Sequence, residues 1–331
     1  MDSSKQFKIA IIGLGHAAKY QLQALTLTKG LTLAAACDLD QSKKENMGEI
    51  LNNTPFFLDY QEMLKTVELD AVLVSTPYFN HYELAKKILR EKKNLLLEKP
   101  ATSTLEELED LRSIAKTENV VFSIALHAAY GKEILWFIDN YKQSLSQRFG
   151  AITGFKCGFY DPYLIDGEVL PNAFSLGSSW LDSGINALSV IGKLVKNLKI
   201  IEARFTYVPQ LVVSDIQAAV DYSFSVGNDN QAGRGCIETN WSLGLNKKIT
   251  NLYFANTGTE IILNHSTQQV LMVDSWGHTE IMVDFSAGKT RLINHYLGVL
   301  EAYYHNLKYS FDNLDYAVPL HRLMYNAYSQ K

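Results

Sequence analysis

Short apolar runs alternate with amphipathic stretches along the first third of the chain, and each run is nearly continuous in its hydrophobicity. Phe7–Ile12, Leu31–Cys37, Ala71–Ser75, Asn94–Glu98 and Val120–Ala125 read as strands covered on both faces, as parallel strands under crossover helices are. The stretches between them carry helix signals. Asn80 with Glu83, and Ser103 with Glu106, each set a capping side chain three residues before a carboxylate. From Ser103 the set Leu105, Leu108, Leu111 and Ile114 keeps a helical period. This alternation predicts an α/β unit built on a doubly wound parallel sheet.

The pattern changes near residue 126. A helix is predicted over Lys132–Gln147, followed by longer runs at Ile152–Tyr160, Ile200–Pro209, Ala218–Val226, Gly235–Ser242, Thr250–Phe254 and Glu260–Leu263. Turn clusters such as Gly227-Asn228-Asp229-Asn230 separate them, which suits antiparallel strands. A helical tail from about Thr290 to Tyr328 closes the chain. With 331 residues, the chain exceeds one ordinary core of about 100–200 residues. Two domains are therefore expected. Residues 1–126 form the first, and residues 127–331 form an α+β domain with a large, mostly antiparallel open sheet.

Charge and cysteines narrow the classes. A formal charge of −4 gives no basic face for nucleic acid, and Lys43-Lys44 and Lys92-Lys93 read as solvated helix faces. Cys37, Cys157 and Cys236 fit no zinc or redox spacing, so no metal site is expected and a reducing compartment is implied. The polar start and the short run Ile9–Leu14 do not make a signal peptide, and no stretch approaches the roughly 18–20 apolar residues of a membrane helix. The expectation is a cytoplasmic protein with no nucleic-acid or membrane partner.

Chemistry begins at Gly13-Leu14-Gly15-His16-Ala17-Ala18, where the first strand gives way to a helix. The first glycine permits a tight turn, the second lets backbone approach a pyrophosphate, and Ala18 takes the small-residue position where helix and strand pack. The helix N-terminus offers unpaired N–H groups and a positive dipole end to phosphates. Asp38, at the end of the second strand, stands where a carboxylate accepts the ribose hydroxyls of NAD. Together these mark a Rossmann dinucleotide domain. NAD is the expected cofactor, with NADP left open by the nearby Lys43 and Lys44.

Three further segments carry a resemblance: Ser75-Thr76-Pro77-Tyr78-Phe79-Asn80-His81, Glu98-Lys99-Pro100 and Asp182-Ser183-Gly184-Ile185-Asn186. With the glycine motif they make the chain similar to the Gfo/Idh/MocA oxidoreductases over nearly its whole length. The resemblance implies a cofactor set of Gly13, Leu14, Gly15, His16, Ala17, Asp38, Ser75, Thr76, Pro77, His81, Glu98 and Lys99. It also implies a catalytic group of Lys99, Asp182 and Asn186. Asn186 stands where the family usually has a histidine, and an amide cannot titrate usefully near neutrality. The base is then Asp182 or, second, Lys99, whose pKa would have to fall several units from about 10.4. Asp-x-Gly-Ile-Asn and Leu126-His127-Ala128-Ala129-Tyr130 resemble the branch of aldose 1-dehydrogenases acting on L-arabinose and D-galactose. That branch implies oxidation at C1 of a pyranose to a lactone. His127 and Asn186 are the expected substrate contacts, with Trp180 and Trp241 as candidate platforms for a sugar ring. Tyr303-Tyr304-His305 reads as a helix face. Oxidation of another sugar or cyclitol hydroxyl, or dinucleotide and sugar sensing without turnover, are the alternatives. A homo-oligomer, dimer or tetramer, is expected by analogy.

Overall fold

The computed structural model describes residues 5–51, 53–209, 213–227, 231–256 and 258–330. They divide into two compact units. The first holds the residues up to His127 and Leu292–Val318; the second holds Ala128–Arg291 and the residues from Pro319 on. The tail is thus shared between the units, where the sequence pattern had assigned it whole to the second domain.

In the first unit, β1 (Phe7–Ile12), β2 (Leu31–Cys37), β3 (Phe56–Phe57), β4 (Ala71–Val74), β5 (Asn94–Glu98) and β6 (Phe122–Ala125) form one parallel sheet in the order β3-β2-β1-β4-β5-β6. Helices α1 (His16–Leu25), α2 (Ser42–Met47), α3 (Tyr60–Thr66), α4 (His81–Arg90) and α5 (Leu105–Glu118) connect the strands. The strand order reverses between β1 and β4, which creates the crevice where ligands of such sheets bind. Helix α5 is capped one residue later than the sequence pattern suggested. The Thr104 hydroxyl accepts the Glu107 N–H at 3.2 Å, and the Glu107 carboxylate accepts the Thr104 N–H at 3.2 Å. Asn80 caps α4 by backbone position alone, without a side-chain bond.

The tail contributes α9 (Arg291–Tyr309), whose Tyr296, Val299, Leu300, Tyr303 and Leu307 are buried. Asn313, beyond α9, pairs with the edge strand as another strand would. It accepts the Ile124 N–H at 2.9 Å and donates to the Ile124 carbonyl at 2.8 Å. This covers hydrogen-bonding groups that an open edge leaves exposed.

In the second unit, α6 (Lys132–Asn140) passes through a π-helical turn at Tyr141–Leu145 into α7 (Ser146–Phe149). The predicted single helix over Lys132–Gln147 is therefore interrupted. Strand β7 (Ile152–Tyr160) follows, then a small hairpin of β8 (Leu164–Ile165) and β9 (Glu168–Val169), then α8 (Ile185–Leu194). Next come β10 (Lys196–Thr206), β11 (Gln217–Ser225), β12 (Ala232–Asn240), β13 (Lys247–Phe254), β14 (Glu260–Asn264), β15 (Gln269–Val273) and β16 (Thr279–Asp284), with α10 (Leu314–Ala327) near the end of the chain. The large sheet runs β10-β11-β12-β7-β13-β14-β15-β16, antiparallel except where β12 meets β7. β11 alternates buried and half-exposed positions along its length, the mark of a sheet with one covered face. Of the predicted turn cluster, Gly227 has positive φ, and 228–230 lie outside the described residues. Among the described residues, no helix is long and apolar enough to cross a membrane.

Candidate active site

The glycine motif occupies the turn from β1 into α1, and its two glycines do different work. Gly13 sits at φ +92°, and a Cβ there would lie 2.7 Å from the Ser75 carbonyl oxygen and 2.8 Å from the Thr76 N. Only glycine admits both that backbone and that contact. Gly15 has an ordinary φ of −77°, and a Cβ there would meet nothing within 4 Å. Its backbone faces open space at the head of α1, where an anion would be drawn by the helix end. His16 and Ala17 open the helix, with His16 exposed beside Tyr20, and Ala18 is fully buried as the close packing requires.

Asp38 follows β2 directly. Its Oδ2 accepts the Leu14 N–H at 2.7 Å and its Oδ1 accepts the Asp40 N–H at 3.0 Å. Two backbone donors thus hold the carboxylate against the glycine loop, and each oxygen keeps a further lone pair for a ribose hydroxyl. Ser75 and Thr76 follow β4 and lead into Pro77, which is exposed. The buried Thr76 hydroxyl oxygen finds no hydrogen-bond partner among the described residues. An open backbone cradle, an aimed carboxylate and an orphaned hydroxyl in one crevice fit a dinucleotide.

His81 and Glu98 are turned inward, contrary to the expectation that they touch the cofactor. The His81 ring lies against the Thr76 carbonyl at 2.8 Å and the Pro100 carbonyl at 3.0 Å, and so braces the loop after β4 to the loop after β5. Burial lowers its pKa, opposed by those carbonyls. Glu98 accepts Gln21 Nε2 at 2.8 Å and the Lys99 N–H at 2.9 Å, with Tyr296 as a third partner. Burial raises its pKa, against the pull of Lys99 and these donors. Both residues therefore fix the strand end that presents the half-buried Lys99. His127 begins the turn after β6, its Nδ1 3.3 Å from Nδ1 of His295 and its ring 5.1 Å from that of Tyr296. His295 and Tyr296 carried no sequence signal, because nothing in the chain pattern says which turn of the tail helix meets the sheet.

The second unit gathers its own polar group. A π-helical turn at Trp180–Gly184 precedes α8, a local widening that is frequent at functional sites. The buried Asp215 fixes its start, accepting the Trp180 N–H at 3.0 Å and the Tyr328 hydroxyl at 2.7 Å. Asp182 lies on this turn. Asn186, one turn on, donates Nδ2 to the Asp182 carbonyl at 3.1 Å, and its buried Oδ1 has no partner among the described residues.

Beside them stands a group that the sequence pattern did not reveal. Lys248 Nζ meets Asp161 Oδ1 at 2.5 Å and also binds Asn246, while the Ser183 hydroxyl donates to Asp161 Oδ2 at 2.8 Å. Burial pulls the Lys248 pKa down, as does Arg291, against the attraction of Asp161 and Asp182. Burial likewise pushes the Tyr163 hydroxyl up, helped by Asp182 and Asp161. The one available signal was position: Asp161 directly follows a predicted strand, and Lys248 stands two residues before another.

The two tryptophans are core residues. Trp180 is fully buried, with its Nε1 donating to the Met324 carbonyl at 2.9 Å. Trp241 is enclosed by Val169, Ala173, Val213 and Ile216. A ring with no exposed face cannot stack on a sugar, so neither serves as the platform the sequence suggested.

Comparison with known proteins bears on this arrangement. Residues 7–126 match the model of the Gfo/Idh/MocA oxidoreductase family, NAD-binding Rossmann fold. That match lies within the first domain and does not reach the second. An uncharacterized oxidoreductase of Synechocystis, sll0816, is 29% identical over 120 residues, which make up 36% of this chain and 32% of that protein. The matched stretch thus spans about a third of that relative's length. Among solved structures, KijD10, a 3-ketoreductase from Actinomadura kijaniata crystallised with NADP and TDP-benzene, superimposes with a TM-score of 0.81 at 16% identity, covering 98% of both chains. An oxidoreductase from Agrobacterium radiobacter, in complex with NAD+, L-tartaric acid and magnesium, gives 0.79 at 16%, covering 98% of this chain and 96% of that one. At such identities the two structures establish a shared fold across both domains, including the large sheet to which the family model does not extend.

Proposed function

We propose that this protein is an NAD-dependent dehydrogenase of the Gfo/Idh/MocA type that oxidises a hydroxyl of a neutral sugar, namely C1 of an aldopyranose, to give a lactone. One observation carries the reading. The open Gly15 backbone, the aimed Asp38 carboxylate and Lys99 all lie at the carboxyl ends of the same parallel sheet. The Gly15 backbone and Asp38 would hold NAD, which would supply a hydride acceptor for the alcohol carbon. The chain's own residues bind and deprotonate. The Lys99 ammonium donates to the reacting oxygen and stabilises charge as the proton leaves. Asp182 takes that proton, because an asparagine at 186 cannot. Asn186 orients the sugar by accepting from a neighbouring hydroxyl at its unpartnered Oδ1. His127 supplies a further contact.

Two measurements test this. Free D-galactose and L-arabinose are expected to be oxidised while their methyl glycosides, which lack a C1 hydroxyl proton, are inert. Equal rates on a methyl glycoside move the chemistry to another ring hydroxyl. Asp182→Asn is expected to lower turnover by about 10²–10⁴-fold with NAD affinity unchanged. Near-normal turnover in that variant, alongside a dead Lys99→Met, makes Lys99 the base.

A further inference from the structure

Lys248 is only 4% exposed, and taking an ammonium out of water costs several kcal/mol even when it is paired. Well-packed apolar residues of similar volume often stabilise a fold as well as a buried ion pair does. The pair with Asp161 is therefore weak evidence for a purely structural role. Its hydrogen bonding is also incomplete. Of the three ammonium N–H groups, one goes to Asp161 and one to Asn246, and no described residue accepts a third. The network continues from Asp161 through the Ser183 hydroxyl to the turn that carries Asp182. One helical turn further on is the unpartnered Oδ1 of Asn186.

We propose that Lys248 is a substrate-binding residue, donating its remaining N–H to a hydroxyl of a neutral polyol held beside Asp182. The substrate class follows from charge and hydrogen-bond type. Asp161, Asp182 and Arg291 all act on Lys248 and on the Tyr163 hydroxyl, so two carboxylates stand against two cations there. An anionic ligand would meet two carboxylates and a cationic ligand two cations. A spare donor on Lys248 and a spare acceptor on Asn186 suit hydroxyls, which both accept and donate. This assignment rests on the reading of the protein as a sugar-binding dehydrogenase and names a contact that the resemblance did not supply.

The test is calorimetric titration of the full-length protein with D-galactose, L-arabinose and scyllo-inositol, with NAD present. Lys248→Met strands the Asp161 carboxylate and is expected to lower the melting temperature. The double variant Lys248→Met with Asp161→Asn removes both charges and is expected to recover it. Polyol affinity is expected to fall 10–100-fold in both, about 1.4–2.8 kcal/mol at 1.4 kcal/mol per tenfold, with NAD affinity unchanged. A double variant that binds polyol like the wild type, or that fails to fold, assigns the pair to the fold and overturns the proposal. So does a wild type that binds none of the three. Polyol binding that depends on Lys248 but comes without turnover leaves this contact standing and removes the dehydrogenase reading instead.

Discussion

The two glycines of the first turn should fail in opposite ways when each is replaced by alanine. At Gly13 the added Cβ meets Ser75 O at 2.7 Å and Thr76 N at 2.8 Å, both backbone atoms, at φ +92°. Positive φ costs an L-residue roughly 1–2 kcal/mol, and forcing a methyl into a packed site costs about 1–3 more. The sum, about 2–5 kcal/mol, lowers the melting temperature by roughly 4–20 °C at 2–4 °C per kcal/mol. At Gly15 the Cβ meets nothing and φ is −77°. Alanine is a poorer helix N-cap by about 1 kcal/mol at most, and the loss of unfolded-chain entropy returns about 0.4–1 kcal/mol. Stability should hardly move. The same methyl, however, stands where a pyrophosphate would approach the backbone, so NAD affinity should fall at least about tenfold, or 1.4 kcal/mol. Thermal melts paired with NAD titrations by fluorescence separate the two effects. Gly15→Ala with unchanged melting and unchanged NAD affinity would falsify the assignment of that backbone to the phosphates.

Two further outcomes are expected. Asp38→Asn keeps an oxygen for the Leu14 N–H but removes the charge. A like-charge clash with a 2′-phosphate costs several kcal/mol, so the wild type should prefer NAD by about 10²-fold or more and the variant by at least ten times less; similar Kd values for NAD and NADP in the wild type would refute the role. Because burial raises the Glu98 pKa, the native state holds that proton more tightly than the unfolded chain. Its contribution is then present below the unfolded value of about 4.3 and is lost as pH rises through the folded value. Urea unfolding at rising pH should show the wild type losing ground to Glu98→Gln between about pH 4 and the folded value, and a gap moving the other way contradicts the argument.

The first sheet was legible because its strands are buried on both faces, which makes them continuous apolar runs. β1, β2 and β5 lie where the pattern drew them. β3 escaped because two residues, Phe56 and Phe57, make no pattern. β16 escaped because it is exposed or half-exposed throughout and so shows no buried face in its sequence. The motifs of the first unit could be read because each is local to one turn. The polar group around Asp161 could not, since Lys248 is 87 positions away from the carboxylate that makes its burial tolerable. Trp180 and Trp241 misled for a related reason. Tryptophan serves cores and sugar platforms alike, and only the enclosure of these rings decides between the two.

The most direct test of the account is absorbance at the reduced-nicotinamide band when the purified protein is mixed with NAD and D-galactose or L-arabinose. The account predicts a rise with either sugar that disappears in Lys99→Met. A wild type that binds NAD yet produces no reduced nicotinamide with these sugars or with cyclitols contradicts it.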